Sequence, residues 1–311
     1  MIWMILILVA LALLAAFAPD LLEWGRLPMD EAARREAPGR FTRLSGGVTH
    51  YRWFGRSRGP VAVCVHGLTT PSFVWEGVAE GLEEQGFRVL VYDLFGRGYS
   101  DRPADAQTAD FFVTQLQDLL KDQGIDDDIT LLGYSMGGAI ATAFAARFPG
   151  RLRRLILLAP AGMQHDLGEV ETVLRASPWV GRWLLHMFYP KQHRAGCEAE
   201  RGLPTSVPGI VDLQLNEQRY RGFFDAVLSS LRNVLHGPLE AEHRTIDRAD
   251  LPVLAIWGKD DTVIPIKAMG ELARWNRTAR HEVIEGAGHG VTYTHTPQVV
   301  AAIFEAVSDL D

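Results

Sequence analysis

Apolar residues along this chain fall into three patterns, and each predicts a different kind of element. The first is continuous: residues 2–18 form a run of 17 residues without a charge, almost all Ile, Leu, Val, Ala, Met and Trp. Such a run is an apolar helix at the short end of what spans a bilayer. The second is a short, mostly β-branched or aliphatic run closed by a turn signal, seen at 61–65, 89–92, 129–132, 155–158 and 254–257, with a last strand at 280–284. Runs of this kind suit strands buried in a parallel sheet. The third pattern has helical spacing, as in 74–85 and 139–147. Strand and helix alternate, so the units are strand–helix–strand with right-handed crossovers. Residues 49–54 alternate as an edge strand should.

Two stretches depart from this alternation. Residues 19–43 are polar, contain Pro28 and Pro38 and hold no sustained period, which reads as a linker. Residues 163–247 contain no β-rich run, and about 85 residues are too many for a loop. Val180, Trp183, Leu184, Met187 and Phe188 recur at helical spacing there, as do Tyr220, Phe223, Phe224, Val227, Leu228 and Leu231. This is expected to be a helical cap over the C-terminal edge of the sheet, where ligands bind in open α/β folds. Its apolar faces either pack internally or form an acyl-chain tunnel or membrane-touching face. The expected fold class is α/β, a mostly parallel doubly wound sheet. Its division is an N-terminal helix (1–18), a linker (19–43), a core (44–162 and 248–311) and an inserted cap (163–247).

Composition narrows the partners. With 47% hydrophobic and 22% charged residues over 311 positions, the chain is ordinary for a globular protein. A formal net charge of -7 without a basic cluster argues against nucleic acid. The two cysteines, Cys64 and Cys197, form no C-x-x-C and read as unpaired. At the N-terminus, Asp20 and Glu23 end the apolar run. A cleaved signal peptide is the alternative, since Ala16-Phe17-Ala18 has a small-x-small pattern. However, no Lys or Arg precedes the run and Pro19 would follow the cut, so an uncleaved membrane anchor is expected. Arg26, Arg34 and Arg35 lie after the segment, which places the following domain on the cytoplasmic side; cleavage would make it secreted or periplasmic.

The candidate chemistry centres on Gly133-Tyr134-Ser135-Met136-Gly137, a G-x-S-x-G match between a strand and a helix. In that turn Ser135 takes a strained conformation that projects its hydroxyl, and only small residues such as Gly133 and Gly137 fit beside it. The N–H of Met136, at the helix start, points toward an oxyanion forming next to Ser135. Taken alone the pentapeptide could be a glycine-rich connection. An acid and a histidine follow, however, each at the end of a later strand. Gly258-Lys259-Asp260-Asp261 offers two carboxylates, either of which could instead form a turn, and Gly286-Ala287-Gly288-His289-Gly290 offers an imidazole in a glycine-flanked loop.

The strand-end His66-Gly67, the D-x-x-G-x-G-x-S pattern from Asp93 to Ser100, the turn at Ser135 and the order Ser135, Asp261, His289 together resemble the α/β-hydrolase superfamily over roughly 44–311. The resemblance implies that Leu68 supplies a second oxyanion N–H beside Met136. It also favours Asp261, third after Gly258, over Asp260 as the triad acid. His66, Asp93, Gly96, Gly98 and Ser100 are expected to order loops rather than to catalyse. The implied activity is a serine carboxylic ester hydrolase working through an acyl-enzyme, with no cofactor or metal. Serine at this turn disfavours the epoxide hydrolases and haloalkane dehalogenases, which use aspartate. The apolar N-terminus, the cap and Ala159-Pro160-Ala161-Gly162-Met163 resemble membrane-anchored monoacylglycerol lipases, so a lipid ester is the expected substrate. Similar motifs belong to carbon–carbon bond hydrolases of aromatic ring-cleavage products and to proline iminopeptidases. A non-catalytic ligand-binding protein is the alternative of a different class.

Overall fold

The computed structural model describes residues 1–163 and 177–308. In it the buried runs assemble into one eight-stranded sheet: β1 Arg40–Leu44, β2 Gly47–Phe54, β3 Val61–Val65, β4 Arg88–Tyr92, β5 Ile129–Tyr134, β6 Leu152–Leu158, β7 Val253–Gly258 and β8 Arg280–Ile284. The strand order is β1-β2-β4-β3-β5-β6-β7-β8. From β4 to β8 all neighbours are parallel, whereas β1 and β2 pair antiparallel with each other and β2 with β4. Residues 49–54 are therefore an internal strand; the edge is β1, whose alternation is too short and too charged to stand out.

The central strands are apolar on both sides because both faces are covered. Helices Ala109–Asp122 and Met136–Arg147 pack Phe112, Leu116, Ile140 and Phe144 on one face. Helices Glu76–Glu84 and Thr296–Ser308 pack Val78, Leu82, Val299 and Ile303 on the other. This is a doubly wound sheet, and the C-terminal ends of β3, β5, β7 and β8 converge on one edge.

Over that edge lie helices Pro178–Ala199, Ile210–Glu217 and Phe223–Arg232, the described part of the cap; residues 164–176 of that stretch lie outside the described residues. Helix Glu240–Arg248 falls inside the range expected as cap but packs on helices Met136–Arg147 and Lys267–Trp275 of the core, burying His243 and Ile246.

The stretch expected as a linker is packed. Helix Ile2–Ala16 is followed, after a 57° bend, by helix Ala18–Trp24, and this second helix lies against Pro178–Ala199. Leu27 pairs with the cap backbone: its N–H donates to Arg219 O (2.9 Å) and its carbonyl accepts from Arg221 N (2.8 Å). These contacts are backbone pairings and ion pairs, which leave no apolar period for a sequence reading to detect. Among the described residues no single helix is long and apolar enough to cross a membrane; the bent pair meets that length and composition together. No side chain of Ile2–Ala16 is buried.

Candidate active site

Ser135 links β5 to helix Met136–Arg147 with φ 54° and ψ -119°. A non-glycine residue there costs about 1–3 kcal/mol, so its surroundings must over-determine it. They do so through the backbone. Ser135 N donates to Leu158 O (3.0 Å), while Ser135 O accepts from Gly138 N and Ala161 N (both 2.9 Å). A Cβ on Gly137 would sit 2.0 Å from Val65 O, and one on Gly133 would sit 2.5 Å from Gly137 O. Both glycines are thus required by close approach of neighbouring backbone.

The two later residues come to this serine. His289 Nε2 lies 3.0 Å from Ser135 Oγ, and His289 Nδ1 lies 2.8 Å from Asp261 Oδ2. Asp261 is buried, and its other oxygen accepts from Val263 N (2.7 Å) and Ile264 N (2.8 Å). Asp260 is exposed and serves only as a turn residue, donating its N–H to Ala287 O (2.9 Å). With Nδ1–H donated to Asp261, Nε2 keeps its lone pair for the serine proton. Tyr134 supports the imidazole from one side: its ring centroid is 5.4 Å away and its hydroxyl donates to His289 O (3.1 Å). Burial raises the Tyr134 phenol well above its ordinary value, so it stays a donor.

The Gly67–Leu68 peptide faces the same serine, with a Cβ on Gly67 placed 3.3 Å from Ser135 Cβ. His66 Nδ1 donates to Gly67 O (2.8 Å) and His66 Nε2 accepts from Leu94 N (2.9 Å). Burial pushes this imidazole down to about 4, so it is neutral in the tautomer these bonds require. In a trans peptide the N–H points opposite to its carbonyl, so holding Gly67 O fixes where the Leu68 N–H aims. Among the described residues no protein acceptor takes the Leu68 or Met136 N–H. Asp93 orders the adjoining loop: its Oδ2 accepts from His50 Nδ1 (2.7 Å) and Tyr99 N (2.9 Å), and its Oδ1 from Ser72 N (2.9 Å). Ser100 Oγ donates to Asp93 O (2.6 Å), and a Cβ on Gly98 would strike Asp93. Burial opposes the Asp93 charge, yet His50 holds the carboxyl well below the usual carboxylate range.

Sequence reasoning missed Arg97, the middle residue of Gly96-Arg97-Gly98. Its guanidinium is fully buried, and all five N–H donors are used. Nε donates to Leu68 O (2.9 Å); Nη1 to Phe95 O (3.1 Å) and Gln107 Oε1; Nη2 to Ala226 O (3.2 Å) and Ser230 Oγ (2.8 Å). No pattern marks such a residue, because its partners lie up to 133 positions away. The apolar lining is equally non-local: Phe223, Phe224, Val227 and Leu228 of the cap cluster with Leu185, and Leu68 packs against them.

Cys64 and Cys197 are free and buried. Glu23, His186 and Asp225 bring three ligand-type atoms within 4.8 Å of one another. They do not suit a metal, because the two ring nitrogens of His186 face different carboxylates and both carboxylates are already engaged by Arg26 and Arg182.

Residues 60–296 match the family described as alpha/beta hydrolase fold. The chain is 30% identical over 236 residues to 2-hydroxymuconate semialdehyde hydrolase of Pseudomonas sp. (strain CF600), covering 72% of this chain and 77% of that protein. It is 26% identical over 252 residues to Lipase 1 of Psychrobacter immobilis, covering 80% and 77%. Among solved structures, a membrane phospholipase A superposes with a TM-score of 0.72 at 19% identity, covering 99% of this chain and 97% of that one. With its sheet order, its serine turn and these matches in agreement, the chain belongs to the alpha/beta hydrolase fold family.

Proposed function

We propose that this protein is a membrane-anchored serine ester hydrolase that cleaves lipid esters such as monoacylglycerol through an acyl-enzyme. The observation that carries the chemistry is the hydrogen-bonded chain Ser135–His289–Asp261. A serine hydroxyl is scarcely nucleophilic at neutral pH, so His289 Nε2 takes its proton as Oγ attacks the ester carbonyl. The N–H groups of Leu68 and Met136 receive the oxyanion, each such donor being worth about 3–4 kcal/mol. His289 then protonates the leaving alcohol, and water activated by the same imidazole releases the acid. Asp261 holds the ring in its working tautomer and stabilises the transient imidazolium.

Support for a lipid substrate comes from the surface. Helix Ile2–Ala16 is apolar all round, and its end is pinned to the cap by Trp183 Nε1, which donates to Ala15 O (2.8 Å). The same cap helix exposes Trp179 (61%), Val180 (38%) and Phe188 (62%). Anchoring beside a bilayer raises the local concentration of a lipid ester, and the apolar cap cluster suits an acyl chain. On this proposal the arginines after the apolar segment, Arg26, Arg34 and Arg35, keep the catalytic domain on the cytoplasmic side, which protease protection in sealed vesicles tests. A second reading, hydrolysis of a carbon–carbon bond in a ring-cleavage product, is favoured by the similarity to 2-hydroxymuconate semialdehyde hydrolase.

Detergent-solubilised wild type and Ser135→Ala should be assayed on monoacylglycerols and p-nitrophenyl esters with C2–C18 acyl chains and on a ring-cleavage dienoate. Activity rising with chain length and lost in the variant supports the proposal. Turnover of the dienoate alone replaces it with the second reading.

A further inference from the structure

We propose that Arg97 is a positioning residue through which the cap sets the oxyanion loop, so that the second oxyanion donor is fully in place only when the cap is seated. This rests on the serine-hydrolase reading above. The two peptides flanking Leu68 are held by different side chains. His66 fixes the Gly67 carbonyl and belongs to the core. Arg97 fixes the Leu68 carbonyl and, through the other end of the same rigid guanidinium, holds Ala226 O and Ser230 Oγ of cap helix Phe223–Arg232. A planar fork with five donors transmits a shift at one end to the other more faithfully than a flexible ammonium would. Gln107 braces the fork, its Oε1 accepting from both Arg97 and Ser230 Oγ (2.7 Å).

The charge makes this arrangement informative. All five acceptors of Arg97 are neutral oxygens, so a fully buried cation is kept without a carboxylate in contact. Leu68 could be held by a neutral donor at far smaller desolvation cost. A cation beside the loop also favours negative charge developing at the Leu68 N–H, which a neutral strut would not do. Burial pushes the guanidinium down to about 9, still charged at neutral pH.

The cap end of this strut is itself clamped to the N-terminal helices. Glu23 Oε2 accepts from Gly222 N (2.6 Å) just before cap helix Phe223–Arg232, and Asp225 in its first turn shares Arg182 with Asp20. A continuous path of contacts therefore runs from the apolar N-terminus through the cap to Leu68.

The test compares Arg97→Met, Arg97→Lys and Ser230→Ala in the full-length protein. The readouts are kcat and KM on a p-nitrophenyl ester that wild type turns over, and inhibition by a trifluoromethyl ketone, whose adduct with Ser135 carries the oxyanion. A misplacement of about 1 Å costs on the order of 100-fold. Arg97→Met is expected to lose about 30-fold or more in kcat with KM within twofold, and to bind the ketone correspondingly more weakly. Arg97→Lys should recover part of both, because an ammonium keeps the charge but cannot span both ends. Ser230→Ala, which removes one of the two cap contacts of Arg97 and one bond to the Gln107 brace but leaves Ala226 O and Leu68 O in place, should lose about threefold in kcat. A folded Arg97→Met protein with wild-type kcat, or with KM raised alone, overturns the proposal. If Arg97→Met does not fold, unchanged kcat and ketone binding in both other variants overturn it equally. Wild type that hydrolyses no ester refutes the functional reading instead.

Discussion

Ser135, Asp261 and His289 stand on one wall of the cleft, each within five residues of a strand end; backbone groups hold Ser135 and Asp261, while the Asp261 carboxylate and the Tyr134 hydroxyl hold His289. The opposite wall is the cap, and buried charges attach it to the rest of the molecule: Arg97 to Ala226 and Ser230, Arg102 to Glu217, and Glu23 to Gly222 and His186. On the first wall the catalytic atoms follow from turn geometry and would survive loss of a surface contact. On the second, position depends on long-range polar pairs whose members are useless singly, since removing one leaves the other buried and unpaired. The first wall is built for fixed chemistry and the second for adjustable placement.

The largest effect that could break this contrast lies in the first wall. Asp261→Asn should keep the fold, because an amide oxygen can still accept from Val263 and Ile264, but it presents the wrong tautomer of His289 to Ser135. A fall in kcat of about 10⁴ is expected. Asp260→Asn, one residue away and exposed, should stay within twofold. Steady-state kinetics of the pair checks both; comparable losses would mean that the acid is shared and that the backbone-fixed account of this wall is wrong.

Next in size is the second wall. Glu23→Ala removes the acceptor for Gly222 N and leaves His186 and Arg26 facing lost charge in a buried place. Breaking a buried pair from one side costs about 3–5 kcal/mol. Part of that cost is recovered here, because Asp225 still faces His186, so a loss of about 2–3 kcal/mol is expected, read as a lower urea midpoint followed by a probe in the cap. Core-probe unfolding that falls with it would make the two walls one cooperative unit. A cap probe that falls alone would sharpen the separation.

This division also explains what the sequence made legible. The sheet, the serine turn and the spacing of Asp261 and His289 are written in local patterns: apolar runs of strand length, two glycines around a serine, a histidine in a glycine loop. Sequence reading reached those residues, and the structure places them in contact. The packed stretch 19–43, the placement of helix Glu240–Arg248 on the core and the role of Arg97 were not legible, because each is decided by partners far along the chain. Glu23 reads as the polar end of an apolar run until Gly222, almost 200 positions later, is seen to donate to it.

An effect of similar size, opposite in sign for its two members, lies in the loop adjoining the first wall, where two buried histidines flank Asp93. Burial lowers His66 to about 4, so its folded form resists protonation. Its contribution is complete above pH 6.5 and is lost as pH falls toward 4, by up to about 3 kcal/mol at 1.4 kcal/mol per unit. Burial would also lower His50, but Asp93 and the Pro38 carbonyl outweigh it and raise the imidazole above its ordinary value. His50 therefore contributes fully below pH 6.5, and that contribution is lost as pH rises through its folded value. Melting temperatures from pH 4 to 9 should show a shallower acid limb in His66→Asn and a shallower alkaline limb in His50→Asn. The same limb flattening in both variants would mean that the pair titrates through Asp93 as one unit.

The smallest effect tests where the second wall ends. His243 lies in helix Glu240–Arg248, inside the sequence range of the cap but packed on the core, with its ring stacked on Trp275 at a centroid distance of 6.1 Å. Among the described residues neither ring nitrogen has a hydrogen-bond partner, and burial lowers the imidazole to about 4. If this helix obeys the rules of the core, shape and apolar contact should matter there and the two nitrogens should be a cost. His243→Phe keeps the stacking, removes two unsatisfied polar atoms and should stabilise the protein by about 1 kcal/mol. That corresponds to a rise in melting temperature of about 2–4 °C with unchanged kcat. Loss of stability instead would mean that the His243 nitrogens have polar partners in solution, such as a bridging buried water, and would move the boundary between the two walls to include this helix.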